Sequence, residues 1–483
     1  MATEALRKQE ADLSPQCDQI IPAAEQLAKD GQTQEAIDKL LILEKQARNA
    51  SDLSSTSRVL LSITSILFTP PSRDLAKLSE YLESLSKKHG QLRQATVKMV
   101  EKAMEFVDEL QGGEKEKLIT TLRDITEGKI YLEVQRARVT RQLATIRENE
   151  GKTNEASELM QDLQVETFGS MERREKVDFI LEQMRLLKLQ GDWEKLAIVG
   201  KRINLRWLND DAENEDLKLR FYSLMILHGL HKDAYLDVCK YYRSVYDSPS
   251  INSLSSTSTS AEQQQSTTTT NERANSLLRN IVFFVVLAPH DNEQNDLLQR
   301  VYRDERLKEM KECYDLVKCF IDPELRRWPN IEELYGDALK KTKVFGTSSS
   351  IGSVDGDIEE PVESGKGEKR WKVLHDRIVE HNIRTVALYY TRITLPRLSS
   401  FLNLPPPETE KFLSSLVTSK TVYAKIDRPA GIVDFVKPKK GDEVLNEWSS
   451  DVGKLMGLIE KSCHLIAKEQ AVNQALKAKQ AKA

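Results

Sequence analysis

Apolar residues recur at helical spacing on two faces of the stretch between Trp371 and Tyr390. One face carries Val379, Ile383, Val386 and Tyr390, and the other carries Trp371, Leu374 and Ile378. Residues three or four positions apart share one face of an α-helix. The pattern therefore predicts one long helix that packs on both sides.

Short apolar runs punctuated by prolines follow this helix. The predicted order is a strand at 391–395, a helix that begins at Pro396, a stop at prolines 405–407, a second helix at 408–420, and two strands at 421–426 and 432–435. A proline is favoured in the first turn of a helix, and the proline and glycine at 427–431 are typical of a hairpin turn. The inward-facing residues of the two helices are Leu398, Phe401, Leu402, Phe412, Leu413, Leu416 and Val417. Residues 371–437 therefore predict a winged helix.

Turn residues recur at nearly regular intervals along the first half of the chain. The series is Gly31, Pro71, Gly113, Gly151, Gly191 and Gly229, which gives offsets of 40, 42, 38, 40 and 38 residues. This period is typical of solenoids built from helix pairs, in which a left-handed glycine ends one helix of each pair. Residues 1–246 therefore predict a right-handed helical-repeat solenoid of the TPR or HEAT type. A set of irregular helical bundles is the alternative.

Two polar segments divide the mainly α chain. Residues 247–272 are rich in Ser, Thr and Gln and predict a disordered insertion, because they cannot bury enough apolar surface to stay ordered. Residues 344–370 carry glycines and acids and predict a flexible linker. Between them, residues 273–343 return to helical periodicity and predict the helical part of the module that ends in the winged helix.

The last segment, residues 441–477, predicts one long helix because it contains no proline. Its apolar residues at heptad a and d positions are Leu445, Trp448, Val452, Leu455, Ile459 and Ile466. Further apolar residues widen the stripe beyond the two positions per heptad of a two-stranded coil: Leu458, Cys463 and Leu465. We therefore interpret the six residues as a partner interface within a multi-chain bundle. The alternative is that the helix folds back onto its own winged helix.

The composition of the chain limits its classes of partner and its cellular compartment. The 71 basic and 75 acidic residues leave a net charge of −4, which gives no electrostatic case for nucleic acid or an anionic membrane as the main partner. The longest apolar run, residues 281–288, is far shorter than the roughly 20 residues of a membrane-spanning helix. Residues 1–15 lack the apolar core of a signal peptide, and the five scattered cysteines fit reduced thiols. We therefore expect the protein in the cytoplasm and nucleus.

Catalytic and metal-binding patterns are weak throughout the sequence. His228 and His231 lack accompanying cysteines or carboxylates and fall on a predicted turn. Cys463 and His464 are adjacent, and adjacent helical residues do not face each other as a nucleophile and its base must. The glycines at 352–367 lack the Gly-Lys-Ser/Thr ending of a phosphate loop. We therefore predict no enzyme activity and no catalytic, cofactor-binding or metal-binding residues.

A winged helix raises the question of nucleic-acid binding, since such folds often place their second short helix in the major groove. In residues 408–420, Lys411 and Lys420 are balanced by Glu408 and Glu410, and no Arg, Asn or Gln is present to read base edges. We therefore expect no nucleic-acid partner and no membrane partner.

Several strings resemble the PCI-domain subunits of the 26S proteasome lid. They are residues 381–384 (HNIR), 389–395 (YYTRITL) and 425–433 (KIDRPAGIV), and upstream 234–242, 288–294 and 464–469. The resemblance runs from about residue 20 onward. It implies a non-catalytic scaffold of the regulatory-particle lid that supports lid assembly and ubiquitin-dependent protein degradation.

The same resemblance implies other lid subunits as partners, contacted through the winged helix and a bundle of C-terminal helices. The ATPase ring and the core particle are further candidate partners. A related PCI subunit of the signalosome is the alternative in the same class, and residues 389–395 and 425–433 favour the proteasome. A winged-helix nucleic-acid-binding protein is the runner-up from another class, followed by an enzyme.

Overall fold

A computed structural model of the chain describes residues 13–69, 74–210, 214–248, 264–346, 365–437 and 440–480. Helices dominate these ranges, and three short strands form one sheet, which confirms the predicted mainly α class. Pro71, most of the predicted insertion (249–263) and most of the predicted linker (347–364) lie outside the described residues. The described chain divides into two compact units between Leu277 and Leu278.

The first unit is a succession of helices joined by short turns. Its helices are α1 (Ser14–Lys29), α2 (Thr33–Asn49), α3 (Leu53–Phe68), α4 (Leu75–Lys87), α5 (Arg93–Glu109), α6 (Gly113–Thr126), α7 (Glu133–Asn149), α8 (Thr153–Gln161), α9 (Arg173–Gln190), α10 (Trp193–Gly200), α11 (Leu205–Asp210), α12 (Glu215–His231), α13 (Tyr235–Tyr246) and the first part of α14 (Gln264–Leu287). Consecutive helices pack together, among them α1 with α2, α7 with α8, α9 with α10 and α12 with α13. One apolar cluster extends from Cys17 in α1 to Leu143 in α7, and a second extends from Ala137 to Leu186. The stacking of neighbours confirms a helical-repeat region, whose hand stays a prediction.

Left-handed glycines end three of the helices where the periodicity predicts turns. Gly31, Gly151 and Gly191 have φ values of 88°, 82° and 86°. Glycine reaches this conformation without the steric cost that a Cβ atom adds. The next helix begins two residues after each of them, at Thr33, Thr153 and Trp193, so each turn is compact.

Gly229 is wrongly predicted as a turn residue. It lies inside α12, and the turn to α13 is made by Asp233 at a φ of 55°. A Cβ atom on Gly229 would approach Cγ2 of Val238 in α13 to 2.5 Å. The glycine at this position therefore allows two helices to approach closely. At the α5–α6 turn, the left-handed residue is Gly112 rather than Gly113, which begins α6.

The second unit contains a helical part, a winged helix and a long last helix. From Leu278 its helices are the remainder of α14, α15 (Asn292–Tyr302), α16 (Lys311–Ile321), α17 (Trp328–Lys340), α18 (Lys366–Tyr389), α19 (Leu395–Leu402), α20 (Pro406–Thr418) and α21 (Gly441–Gln480). Its strands are β1 (Arg392–Thr394), β2 (Lys425–Asp427) and β3 (Ile432–Asp434). β3 is the central strand and pairs antiparallel with both β1 and β2, with Val433 opposite Ile393 and Ile426.

The winged helix is built around apolar residues that the sequence pattern predicts as its core. The members buried in one cluster are Val379, Ile383 and Val386 from α18, Leu398 and Leu402 from α19, Leu413 and Leu416 from α20, and Val433 from β3. Gly431 has a φ of 63° in the hairpin turn, and its carbonyl oxygen accepts a hydrogen bond from the Leu395 amide at 2.8 Å. The turn thus joins the hairpin to the start of α19.

Four local predictions need correction. Prolines 406 and 407 do not stop a helix but form the first turn of α20, while α19 ends at Asn403 in the left-handed conformation. Tyr390 follows α18 and is 38% exposed, because the helix ends at Tyr389 and the chain turns into β1. The described helices α14 and α18 begin at Gln264 and Lys366, inside the segments predicted as insertion and linker.

Candidate assembly surface

The last helix, α21, has no proline, and Asp442 and Glu443 lie in its first turn, where negative charge favours a helix N-terminus. A 40-residue helix is about 60 Å long at about 1.5 Å per residue. Every residue from 441 to 478 is exposed. Such a helix gains little stability from the rest of its own chain.

The six residues predicted as a partner interface all lie on α21 with exposed side chains. Their exposed fractions are 61% for Leu445, 68% for Trp448, 41% for Val452, 56% for Leu455, 49% for Ile459 and 57% for Ile466. Spacings of three, four and seven residues place them along one face. Complete burial of side chains of this size contributes roughly 1.5–3 kcal/mol each. The chain therefore presents one continuous apolar stripe.

A second apolar face lies beside this stripe and extends further toward the C-terminus. It comprises Leu458, Leu465, Val472 and Leu476, which are 45–64% exposed. At 3.6 residues per turn, Leu458 lies about 100° from Ile459 around the helix. The predicted interface omits Val472 and Leu476 because the heptad count stops at Ile466. Val472 lies seven residues after Leu465, and Leu476 lies four residues after Val472. This helical spacing is the signal that identifies them.

The sheet of the winged helix has two outer strands, β1 and β2, whose outward edges have no strand neighbour among the described residues. At the end of α18, two residues before β1, Leu388 and Tyr389 are 74% and 68% exposed. Unpaired strand edges can accept a strand from another chain. The sequence pattern does not identify this apolar surface, because the exposure of Leu388 and Tyr389 depends on where α18 ends and the chain turns into β1.

The residues considered for chemistry are dispersed. His228 and His231 lie on α12 rather than on a turn, and the ring of His231 stacks on Trp193 at 4.6 Å. Burial lowers the pKa of His228 and raises the pKa of the buried Cys239 thiol to about 12, which makes that thiol unreactive. Cys463 is exposed on α21. In the described part of the chain, no group of three His, Cys, Asp or Glu residues is placed to hold a metal ion.

The helix considered for DNA reading, α20, has part of its charge neutralised within the winged helix. Glu410 accepts a hydrogen bond from Arg428 in the hairpin at 2.6 Å. Lys411 and Glu408 line one open cavity of about 330 Å³ between α18 and α20. Among the described helices, none is long and apolar enough to cross a membrane.

Three family profiles match separate parts of the chain. Residues 35–253 match the N-terminal region of PSMD12/CSN4, residues 349–437 match the PCI domain, and residues 442–474 match the C-terminal domain of the 26S proteasome regulatory subunit RPN5. The last match covers most of α21.

Curated relatives match over nearly the whole chain. The 26S proteasome regulatory subunit rpn501 of Schizosaccharomyces pombe is 43% identical over 440 residues, which cover 90% of this chain and 91% of the relative. Regulatory subunit RPN5 of Saccharomyces cerevisiae is 38% identical over 98% of this chain and 99% of its own length. Non-ATPase regulatory subunit 12 of Dictyostelium discoideum is 38% identical over 96% of this chain and 95% of its own length. These matches cover the helical-repeat region, the PCI module and the long last helix. The chain is therefore a member of the 26S proteasome regulatory subunit family that includes RPN5 and non-ATPase subunit 12.

Proposed function

We propose that this protein is a non-catalytic scaffold of the proteasome lid that supports lid assembly and ubiquitin-dependent protein degradation. The observation that carries the proposal is the apolar stripe on α21, which is exposed along the described length of the helix. The family relation gives the class of partner, since relatives are named as 26S proteasome regulatory subunits. Assembly takes place in the cytoplasm and nucleus.

The proposed partners of α21 are helices of other lid subunits in a multi-chain bundle. Two apolar faces about 100° apart suit a helix with a neighbour on each side better than a two-stranded coil. A helix of about 60 Å is also longer than a winged helix can cover. These features favour partners from other chains over folding back onto the chain itself.

The proposed second contact is made by the winged helix with the PCI modules of neighbouring subunits. The open edge of β1 and the exposed Leu388 and Tyr389 supply backbone hydrogen-bonding groups and apolar surface side by side. The ATPase ring and the core particle are further proposed neighbours of the helical-repeat region.

Truncation after Lys440 tests the role of α21 directly. The shortened protein is expected to keep the helix content of its remaining residues and a cooperative thermal melt, because α21 adds little to the rest of the fold. It is also expected to be absent from purified lid when it replaces the full-length chain. Normal incorporation of the truncated protein would contradict the proposal, and so would its unfolding, since α21 would then belong to an internal core.

A further inference from the structure

An open cavity of about 330 Å³ lies between α18 and α20 in the second unit. The two helices contact each other, and Leu413 and Leu416 of α20 are buried in the core of the winged helix. The cavity is lined by residues within 373–380 of α18 and 408–415 of α20. Its volume is at the lower end of the range of about 300–1,000 Å³ that is typical of ligand pockets. It therefore has room for a side chain from another molecule.

Two apolar side chains line this cavity, Val373 on α18 and Phe412 on α20. Both are half-buried, and Phe412 packs against the core of the winged helix. Part of each side chain is thus left uncovered by the chain itself. A long side chain with an aliphatic stem covers such surface while its charged end stays among polar groups.

Two of the charged side chains at the cavity are already paired with each other. Nη1 of Arg377 donates hydrogen bonds to both Glu380 oxygens, at 2.9 and 2.7 Å. Nε of Arg377 donates to the carbonyl oxygen of Leu287 at 3.2 Å. The side chains of Arg377 and Glu380 are only 23% and 17% exposed. The positive charge of Arg377 is therefore compensated within the chain.

The other charged side chains at the cavity are Asp376, Glu408 and Lys411. Asp376 is 45% exposed, and its carboxylate contacts Nδ1 of His375 at 3.5 Å. Glu408 and Lys411 are exposed, one turn apart on α20, and neither takes part in an ion pair within the described part of the chain. Two carboxylates beside one ammonium group leave one negative charge uncompensated. The cavity is thus complementary to a positively charged group.

An arginine side chain fits these surroundings better than a metal ion does. Within the described ranges, no three His, Cys, Asp or Glu residues are placed to hold a metal ion together. A guanidinium group has five N–H donors, which suit carboxylates on two different helices, and it is attracted to the face of an aromatic ring such as Phe412. Its three-carbon stem is apolar.

We propose that the cavity between α18 and α20 receives an arginine side chain from a neighbouring lid subunit. The stem of that arginine covers Val373 and Phe412, and its guanidinium group faces the carboxylates of Asp376 and Glu408. The inference rests on the proposed scaffold function and adds a contact of stated chemistry to it. The cavity includes no residue of α21.

The first experiment measures competition for places in the lid. Full-length wild type and Asp376→Asn/Glu408→Gln carry different tags, are produced together, and are quantified in purified lid. The share of the variant is expected to be about tenfold lower, because charged hydrogen bonds to the partner are lost. Glu309→Gln/Asp315→Asn is the matched control, since both residues are exposed and neither lines the cavity, and it is expected to compete equally.

Two results of this experiment would overturn the proposal. One is equal incorporation of Asp376→Asn/Glu408→Gln and the wild type. The other is a Tm many degrees below that of the wild type, which would show that the carboxylates serve the fold of the chain itself. A Tm within a few degrees of the wild type is expected, because neither Asp376 nor Glu408 is buried.

Lys411→Gln tests the sign of the missing charge. This variant removes the one ammonium group that repels an incoming cation, so its share of the lid is expected to equal or exceed that of the wild type. A loss of incorporation as large as that of the carboxylate variant would overturn the proposal, because the cavity would then not select a cation.

Photo-crosslinking identifies the occupant. Ser415 is exposed at the cavity and is replaced by the photo-reactive residue p-benzoylphenylalanine. Irradiation of purified lid, followed by mass spectrometry of the linked peptides, is expected to find a segment of another subunit that contains an arginine. Changing that arginine to Glu in the partner is expected to restore part of the incorporation lost by Glu408→Arg. Cross-links only to the chain itself or to a second copy of it, or no recovery in the paired variants, would overturn the proposal.

The outcome for this cavity is distinguishable from the outcome for the scaffold function. If truncation after Lys440 blocks incorporation while Asp376→Asn/Glu408→Gln enters the lid normally, the scaffold function stands and the arginine contact is wrong. If the truncated protein enters the lid and the carboxylate variant does not, the arginine contact stands and the role of α21 is wrong.

Discussion

At the scale of single residues, Gly229 and Arg384 both fall within recognisable sequence patterns, but the tertiary fold decides the surroundings of each. Gly229 matches the spacing of the turn glycines, yet its role is the close contact with Val238 across α12 and α13. Arg384 lies in a recognisable string, yet its Nε is buried without an acceptor. Neither role follows from spacing, because each is set by atoms that sequence reasoning cannot bring together.

Gly229→Ala is expected to destabilise the first unit by about 1–3 kcal/mol, because the added methyl group overlaps the Val238 side chain. Thermal denaturation followed by circular dichroism measures the effect. Val238→Ala in the same chain is expected to recover part of the loss by making space. Gly453→Ala is the control: it lies in an exposed helix with open space around it, and alanine is expected to favour the helix by about 0.5–1 kcal/mol. A neutral Gly229→Ala would show that the helices separate at little cost.

At the scale of elements, the first helices of successive pairs are joined by a network of ion pairs. Arg141 of α7 and Arg220 of α12 both pair with Asp178 of α9, at 2.6 and 2.9 Å. Arg185 of α9 pairs with Glu182 at 2.7 Å and reaches Glu148 of α7 at 2.5 Å. Each partner is only partly exposed, so the pairs are screened less than surface pairs. The network supplements the apolar stacking between α7, α9 and α12.

Glu148 gives this network a pH dependence. Its hydrogen bond to Arg185 lowers its pKa below the ordinary 4.5, although burial counteracts the change. Stability from this group is therefore fully present above about pH 4.5 and is lost as pH falls through the lower folded-state pKa. We expect Glu148→Gln to lower the Tm at pH 6–7, by an amount equivalent to about 1 kcal/mol or less, and the difference from the wild type to narrow toward pH 4. A constant difference across that range would contradict this assignment, and the exposed Glu194→Gln is the control.

The winged helix is the element for which sequence reasoning works best. Its predicted core residues, such as Leu398, Leu413 and Leu416, are buried, because the helices are short and each carries one apolar face. Its exposed end at Leu388 and Tyr389 could not be predicted, since exposure there depends on where α18 stops and β1 begins. Apolar spacing of three or four residues identifies the buried face of a single helix. A surface formed where two elements meet can be located only in the tertiary fold.

Changing Lys411 and Lys420 to Glu tests whether α20 reads nucleic acid. The double variant is expected to assemble as the wild type does, because both side chains are exposed and neither is required by the core. Duplex binding is measured at low salt, where phosphate contacts are strongest. If the wild type bound the duplex tightly and in a salt-sensitive way, and the double variant did not, nucleic-acid binding would be favoured over the scaffold function.

At the scale of the whole molecule, the proposed role of α21 is to carry the chain into a larger assembly. The extent of the helix and the six residues of its main stripe follow from the sequence alone, because a long amphipathic pattern without proline has few alternative folds. Which proteins cover the two apolar faces cannot be read from one chain. The answer depends on complementary surfaces that the other subunits provide.

The most direct measurement is co-sedimentation of Leu455→Asp/Ile459→Asp with the proteasome lid, because these residues lie near the middle of the stripe. The double variant is expected to keep the wild-type melting profile but to fail to enter the lid, since burial of two unpaired carboxylates costs several kcal/mol. Asn446→Asp/His464→Asp is the matched control, because both residues are exposed on the side of α21 away from the two apolar faces, and it is expected to co-sediment. Normal co-sedimentation of Leu455→Asp/Ile459→Asp, or its unfolding in isolation, would contradict the account.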